Sequence, residues 1–472
     1  MPLQPLNFTD YAPDLDPLTP DIVLDCNGVY PVEKGFRTLP GLRRLGALPA
    51  TCVGAFSGLL IGDPVTVAGT AEDLYVLRNG VFVPQGLGVS GVSRWSFAQY
   101  GKYLIAANGV TPPFYYSVGM GNFQPLTGNP PVASLVSTSD YAVFLALPNS
   151  QTVISNLAPT ASWQPNIATE VFEFDLGQIA GDITAIHRSR SLFAVYRRNA
   201  LQCGTIVGGQ VGWDWTMPGT ISLTVGAAGQ GCVVNIGDFH YIFGPDDFYT
   251  FDGFNLVNIP NHLKEWVFRD LNQAFAANIA GRYDVERDLV FWHYPSQTTA
   301  FGQAGGLDSY VCLYRRTGKW AFGRLSIETP LVGEAVNPEA GPNATNPATG
   351  VVLTDHSLNI FDDAVGLAPV SSVYVTSHDF GDRQLVYQCR RVMPGFSLRP
   401  VPGATGAPAA RLIPYTSMVA GQTPAAGSAV PLSDDGWFNF VTSARLQRFR
   451  IEMFGPAEIT HGWAELNPTG EV

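Results

Sequence analysis

Charge is scarce in this 472-residue sequence: Asp, Glu, Lys and Arg make up only 14% of it, where an ordinary soluble chain has about 25%. The 27 basic residues are outnumbered by 39 acidic ones, for a net charge of -12. That balance argues against a broad grip on nucleic acid, which needs clustered Lys and Arg to displace counterions from phosphates. Long apolar runs are missing as well. Tyr141 to Leu147 and Leu289 to Trp292 end within a few residues, far short of the ~20 a membrane-crossing helix requires, so no membrane span is expected. Cysteine is sparse: Cys26, Cys52, Cys203, Cys232, Cys312 and Cys389 include no C-x-x-C pair, which points to buried reduced thiols and away from zinc or a disulfide scaffold. Met1 to Asp10 has neither the basic nor the apolar part of a secretion signal, so the chain is expected to remain inside the cell that makes it.

Catalytic motifs are also absent. Gly101-Lys102 and Gly318-Lys319 lack the upstream glycine and the following Ser or Thr of a phosphate-binding loop, and read as turns. No G-x-S-x-G exists, and the seven histidines never occur as H-x-x-x-H, so no nucleophile elbow, metal site or cofactor is expected. Ser433-Asp434-Asp435-Gly436-Trp437 is similar to the aspartate box of sialidase-type propellers, but a single copy reads as a hairpin turn. Asp246, Asp247 and Asp252 could pair carboxylates for glycosidic chemistry. On a strand, however, Asp247 and Asp252 point to opposite faces, and turn capping fits them better.

What the sequence does hold is turn formers and flat side chains, with 50 Gly, 36 Pro and 12% aromatics. Short runs of Val, Ile, Tyr and Phe closed by Gly, Asn or Pro return every ~35 to 55 residues, the length of a propeller blade. Val65 to Ala68, Leu74 to Leu77 and Val81 to Val83, the last two joined by Asn79-Gly80, form the clearest unit, because Asn-Gly between apolar runs is a strong hairpin signal. Similar units start near Trp95, Ala133, Ile183, Cys232 and Ile279, the third reaching Trp163. A seventh, Val351 to Leu353 with Leu358 to Phe361, lacks outer strands. Closing the ring then requires a strand from between Ile22 and Leu48, with Ile22 to Tyr30 the first choice, since an open ring leaves unpaired edges. The expected fold is all-β: a β-propeller of about seven blades, with six or eight as neighbouring counts, plus a C-terminal β-sandwich-like module. One short inserted helix is expected over Asn261 to Gln273, capped by Asn261. The expected divisions are an N-terminal segment 1–50, a propeller 51–370 and a C-terminal module 371–472, with a long turn-rich loop over 335–349 that carries a contact.

Certain stretches resemble a known family. Tyr11-Ala12-Pro13-Asp14-Leu15, Asn27-Gly28-Val29-Tyr30-Pro31 and Gly35-Phe36-Arg37-Thr38-Leu39-Pro40-Gly41-Leu42 are similar to the N-terminus of the tail nozzle, or tail hub, proteins of short-tailed bacteriophages. Trp95 to Gly101, Ser155 with Trp163 where the resemblance puts the third blade's outer strand, Asp247 to Gly253 with the following helix, Phe380-Gly381-Asp382, Arg390 to Pro394 and Ser443 to Ile451 follow in the family's order. The resemblance spans nearly the whole chain. It implies a non-enzymatic virion protein, assembled in the host cytoplasm, whose propeller subunits form a ring, usually a homo-hexamer, at the end of the tail. The genomic DNA would leave through the middle without sequence-specific binding, and the implied neighbours are a tail adaptor or portal-proximal protein and a tail fibre or spike. The alternative is a glycan-binding or glycan-cleaving propeller.

Basic residues are densest at Arg390 and Arg391 and at Arg445, Arg448 and Arg450, and Arg448 and Arg450 share a face if they lie on a strand. Eight acids balance eight bases from residue 372 onward. These five arginines are therefore the candidate subunit contacts, facing an acidic partner more readily than DNA. The deficit of -12 then belongs to residues 1–371. An acidic or neutral wall would let DNA slide past, with Lys102, Lys264 and Lys319 turned outward or paired.

Overall fold

The computed structural model describes residues 3–140, 142–156, 161–208, 212–333, 349–367, 372–382, 384–398 and 410–471. Six four-stranded antiparallel blades follow one another along the chain. Blade 1 is Gly54–Leu60, Asp63–Gly69, Leu74–Arg78 and Val81–Pro84; blade 2 starts with Ser96–Tyr100, blade 3 with Leu135–Thr138 and blade 4 with Ala185–Ser189. Blade 5 starts with Val233–Ile236 and blade 6 with Ala280–Asp284. The outermost strand of blade 6, Lys319–Val332, does not stop there. Its distal half pairs with Gly350–Leu353 and becomes the inner strand of a seventh blade. Leu331 and Val332 also pair in parallel with Ala55 and Phe56 of blade 1, so main-chain hydrogen bonds join the first and last blades.

Blade 7 takes its outer strand from the start of the chain. Pro40–Ala47 pairs antiparallel with Ser357–Leu367, Leu358 opposite Gly46 and Phe361 opposite Leu42. Ile22 to Tyr30, the first choice for this role, lies elsewhere, because Ile22–Asn27 pairs with Tyr374–Ser377. The alternation of the closing strand explains the choice: Leu45 is buried with Leu48, Phe82, Leu331, Leu358 and Ile360 while Arg44 stays exposed. Apolar clusters of this kind fill the spaces between blades. Between blades 3 and 4, for instance, Phe144 and Phe193 stack at 3.5 Å with Trp213 edge-on at 4.8 Å.

The remaining strands make a sandwich. One sheet runs Phe438–Ala444, Leu385–Leu398, Ala457–Glu471, Gly35–Thr38, Val29–Val32, with Leu3–Asn7 also beside Ala457–Glu471. The other runs Asp10–Tyr11, Ile22–Asn27, Tyr374–Ser377, Leu446–Met453, Ala410–Ser417. Val392, Phe438, Leu466, Val375, Phe449 and Ile451 are buried between them. The N-terminal residues are thus divided: those before Leu39 belong to the sandwich and those after it to the propeller. Six acids and two bases among residues 1–38 accordingly place part of the negative charge in the sandwich.

Blade 6 and the sandwich share one core. Tyr11 lies against Phe322 at 6.1 Å and Trp266 at 6.2 Å, the Tyr310 hydroxyl donates to the Val29 carbonyl at 3.1 Å, and the Trp320 amide donates to Asp10 at 2.8 Å. The inserted helix α1 is Lys264–Asp270, shorter than its sequence pattern, and the amide of Lys264 reaches Asn261 at 3.1 Å. Its next two amides are capped from a distance by Asp14, at 2.8 and 2.9 Å. A second single-turn helix, Ala300–Gln303, went unforeseen. Trp163 is not an outer strand: it sits buried in a connection, and Val171–Asp175 fills that position. Gln164-Pro165-Asn166 interrupts the run after Trp163, and proline removes a ladder donor. Among the described residues no helix is long and apolar enough to cross a membrane.

Candidate functional site

Leu446–Met453 lies inside its sheet, so its outward side chains rest on neighbouring strands. Arg448 forks onto Asp379, Nε to Oδ1 at 2.7 Å and Nη2 to Oδ2 at 3.0 Å. Arg450 donates from Nη2 to Asp25 Oδ2 at 2.8 Å and stacks 4.0 Å over the Tyr374 ring. The Tyr374 hydroxyl also donates to Asp25 at 3.1 Å. Burial raises the Asp25 carboxyl above its ordinary range, and the Arg450 charge pulls it back. The two arginines predicted to share a face therefore do so, each held by an acid of its own chain.

Arg390 and Arg391 belong to the other sheet, on Leu385–Leu398. Arg391 donates to Glu465 at 2.6 Å and covers Trp437 at 4.3 Å. Arg390 is exposed, and its Nε reaches only Gln388 at 3.0 Å. Arg445 occupies the bend before Leu446, and its buried Nε has no hydrogen-bond partner. The five arginines thus form no single patch. Arg448, Arg450 and Arg391 pair with acids of the same chain, whereas Arg390 pairs with no acid among the described residues. The segment 335–349 falls outside the described residues except for Thr349, whose hydroxyl donates to Asp284 at 3.2 Å.

Two of the three propeller lysines are engaged. Lys264 pairs with Asp247 at 3.1 Å, Lys319 donates to the Glu33 carbonyl at 2.9 Å, and Lys102 lies 5.2 Å from the Tyr103 ring. The acids weighed for glycosidic chemistry serve local structure. Asp252 accepts from the amides of Phe254 and Asn255 at 2.9 and 2.7 Å. Asp247 accepts from the Phe248 amide and the Asn261 side chain, both at 2.8 Å. Ser433 to Trp437 closes as a turn, the Ser433 amide donating to the Trp437 carbonyl at 2.9 Å.

One polar cluster escaped the sequence reading. In blade 6, Arg324 Nη1 donates to Ser309 Oγ at 2.7 Å and Ser296 Oγ at 3.1 Å, and its Nη2 contacts Asp270 at 3.3 Å. Tyr294 donates to Asp270 at 3.0 Å, and Asp308 accepts twice from Ser296, from its amide at 2.8 Å and from its hydroxyl at 2.7 Å. Buried carboxylates with this many donors hold the 295–306 connection in place. Lone acids between apolar residues carry no motif, and only the unusual Leu307-Asp308-Ser309 inside a strand hinted at them. A second cluster joins His187 and His240, with ring centroids 5.7 Å apart. Burial pushes His187 down to about 3 and His240 down to about 4, so both are neutral near pH 7. Among the described residues no group of three or more His, Cys, Asp or Glu side chains is placed to hold a metal ion.

No protein-family model matches the chain, and no curated protein matches it. Solved structures share the propeller. The chain is similar to the Myceliophteria thermophila Cps50 (Swd1) β-propeller domain at 11% identity and a TM-score of 0.42, covering 69% of this chain and 98% of that one. It is also similar to YCF48 bound to D1 peptide, at 11% identity and a TM-score of 0.40, covering 69% and 97%. The extracellular domain titled as that of a hybrid two-component system from B. thetaiotaomicron matches at 8% identity and a TM-score of 0.45, and the chain spans 40% of its length. At these levels the likeness concerns the fold and carries nothing about function.

Proposed function

We propose that this chain is a structural subunit of the ring-shaped nozzle at the end of a short bacteriophage tail. The observation that carries the reading is the ordered set of sequence stretches similar to that family. Their positions support it. Tyr11 to Leu15 and Asn27 to Pro31 supply the contacts between sandwich and blade 6, and Gly35 to Leu42 runs from the sandwich into the strand that closes blade 7. A subunit whose two modules are locked by buried aromatic and hydrogen-bonded contacts is suited to a ring that bears internal pressure. The net negative charge of residues 1–371 fits a surface past which DNA slides without being held.

The test is native mass together with electron microscopy of the purified protein. A closed ring of six 50.8 kDa chains with an axial hole is the expected result. A protein that remains a monomer at all concentrations and binds glycans would reject the nozzle in favour of a sugar-recognising propeller.

A further inference from the structure

One arginine of the propeller bonds to a blade far from its own. Arg94 stands two residues before the inner strand of blade 2, and Ala277 and Ile279 just precede the inner strand of blade 6. Blades 2 and 6 are three blades apart by the shorter way around a ring of seven, so they face each other across the axis. Arg94 spans that gap: Nη1 donates to the Ala277 carbonyl at 2.9 Å and Nη2 to the Ile279 carbonyl at 3.4 Å.

The site is shaped for this crossing. Gly229 and Gly231, in the connection leading to blade 5, lie under the two accepting carbonyls. A Cβ on Gly229 would fall 2.4 Å from the Ala277 oxygen. One on Gly231 would fall 2.5 Å from the Ile279 oxygen and 3.3 Å from Arg94 Nη2. Glycine is required at both positions for the carbonyls and the guanidinium to meet. No carboxylate among the described residues pairs with Arg94, so the cation is held by backbone oxygens alone.

We infer that Arg94 is a crossbar that shuts one end of the propeller's own axis and tethers blade 2 to blade 6. A single subunit is then not a pore. On the nozzle reading proposed above, on which only this last step rests, the path for DNA runs between copies and never through one.

Hydrogen exchange on Arg94→Ala and Arg94→Lys tests the crossbar, in the protein as purified and whether or not it forms rings. Lysine keeps the charge but cannot donate to two carbonyls in the planar fork of arginine. Removing a charge-assisted pair of bonds should speed exchange by roughly tenfold or more in two places at once, near residues 92–96 and near 277–281, in both variants, while the inner strand of blade 4 keeps its protection. A rise confined to residues 92–96, no rise in either place, or an Arg94→Lys protein indistinguishable from the parent would each overturn the tether. If Arg94→Ala does not fold, the Arg94→Lys result decides alone. Ring formation by either variant bears on the nozzle reading and leaves this result untouched.

Discussion

Truncating Leu45 to alanine should loosen the closure of the propeller without touching either sheet of the sandwich. Leu45 is 6% exposed and is enclosed by Leu48, Phe82, Leu331, Leu358 and Ile360. Neighbours on two blades leave little freedom for the site to collapse around a void. A buried Leu→Ala change costs about 2 to 5 kcal/mol, and the middle of that range, about 3 kcal/mol, is expected here. Because Pro40–Ala47 has one strand partner, Ser357–Leu367, the loss should appear as local opening of that pair. At tenfold per 1.4 kcal/mol, exchange of the amides joining the two strands should quicken by roughly 100-fold. Hydrogen exchange resolved by peptide gives the reading, with exposed Arg44→Ala as the control. If Leu45→Ala and Arg44→Ala exchange alike over 40–47 and 357–367, the closing strand is not held by its apolar face and the reasoning fails.

Charge reversal separates the arginines: Arg448→Glu, which leaves Asp379 facing a second acid, should lower the denaturation midpoint by the equivalent of about 3 kcal/mol, whereas Arg390→Glu should leave unfolding unchanged and weaken assembly if that face is a subunit contact. Equal unfolding curves for the two variants would contradict the bidentate pair. Asp14→Ala removes the cap of α1 and should cost about 1 kcal/mol, read as a shift in a urea curve; an unmoved curve would mean that Asp14 does not hold the helix start. The histidines set a pH slope. Their folded pKa values lie below the unfolded value, so the unfolded chain binds more protons as pH falls from about 6.5 toward 4, and each of His187 and His240 should remove about 1.4 kcal/mol per pH unit over that window. Denaturation of His240→Gln between pH 4 and 7 should show a shallower slope than the parent, and an identical slope would mean that His240 is protonated in the fold.

Much of the architecture was legible because the chain alternates strongly and marks its turns. Asn79 and Gly80 take φ of 50° and 78°, the left-handed pair that Asn-Gly permits, and the hairpin they close is where the sequence put it. The inner strand Gly54–Leu60 was missed because GAFSGLL mixes small residues with apolar ones and has no clean period. The closing strand carries Gly41, Arg43, Arg44 and Gly46, which hides its apolar face from a pattern search. Among the arginines, spacing correctly put Arg448 and Arg450 on one face. Their acids, Asp379 and Asp25, lie 69 and 425 residues away, and no local pattern reports a partner at that distance.

The divided N-terminus has a consequence in time. Pro40–Ala47 leaves the ribosome early, yet the strand it must join, Ser357–Leu367, emerges only after some 300 further residues, roughly 15 to 60 s at ordinary translation speeds. For most of that interval blade 1 lacks its parallel partner at Leu331 and Pro40–Ala47 has no strand to join, and the strands of residues 3–38 wait longer still for 374–377 and 446–471. The fold is therefore sewn shut late, with residues 22–47 serving as thread for strands made some 300 or more residues after them.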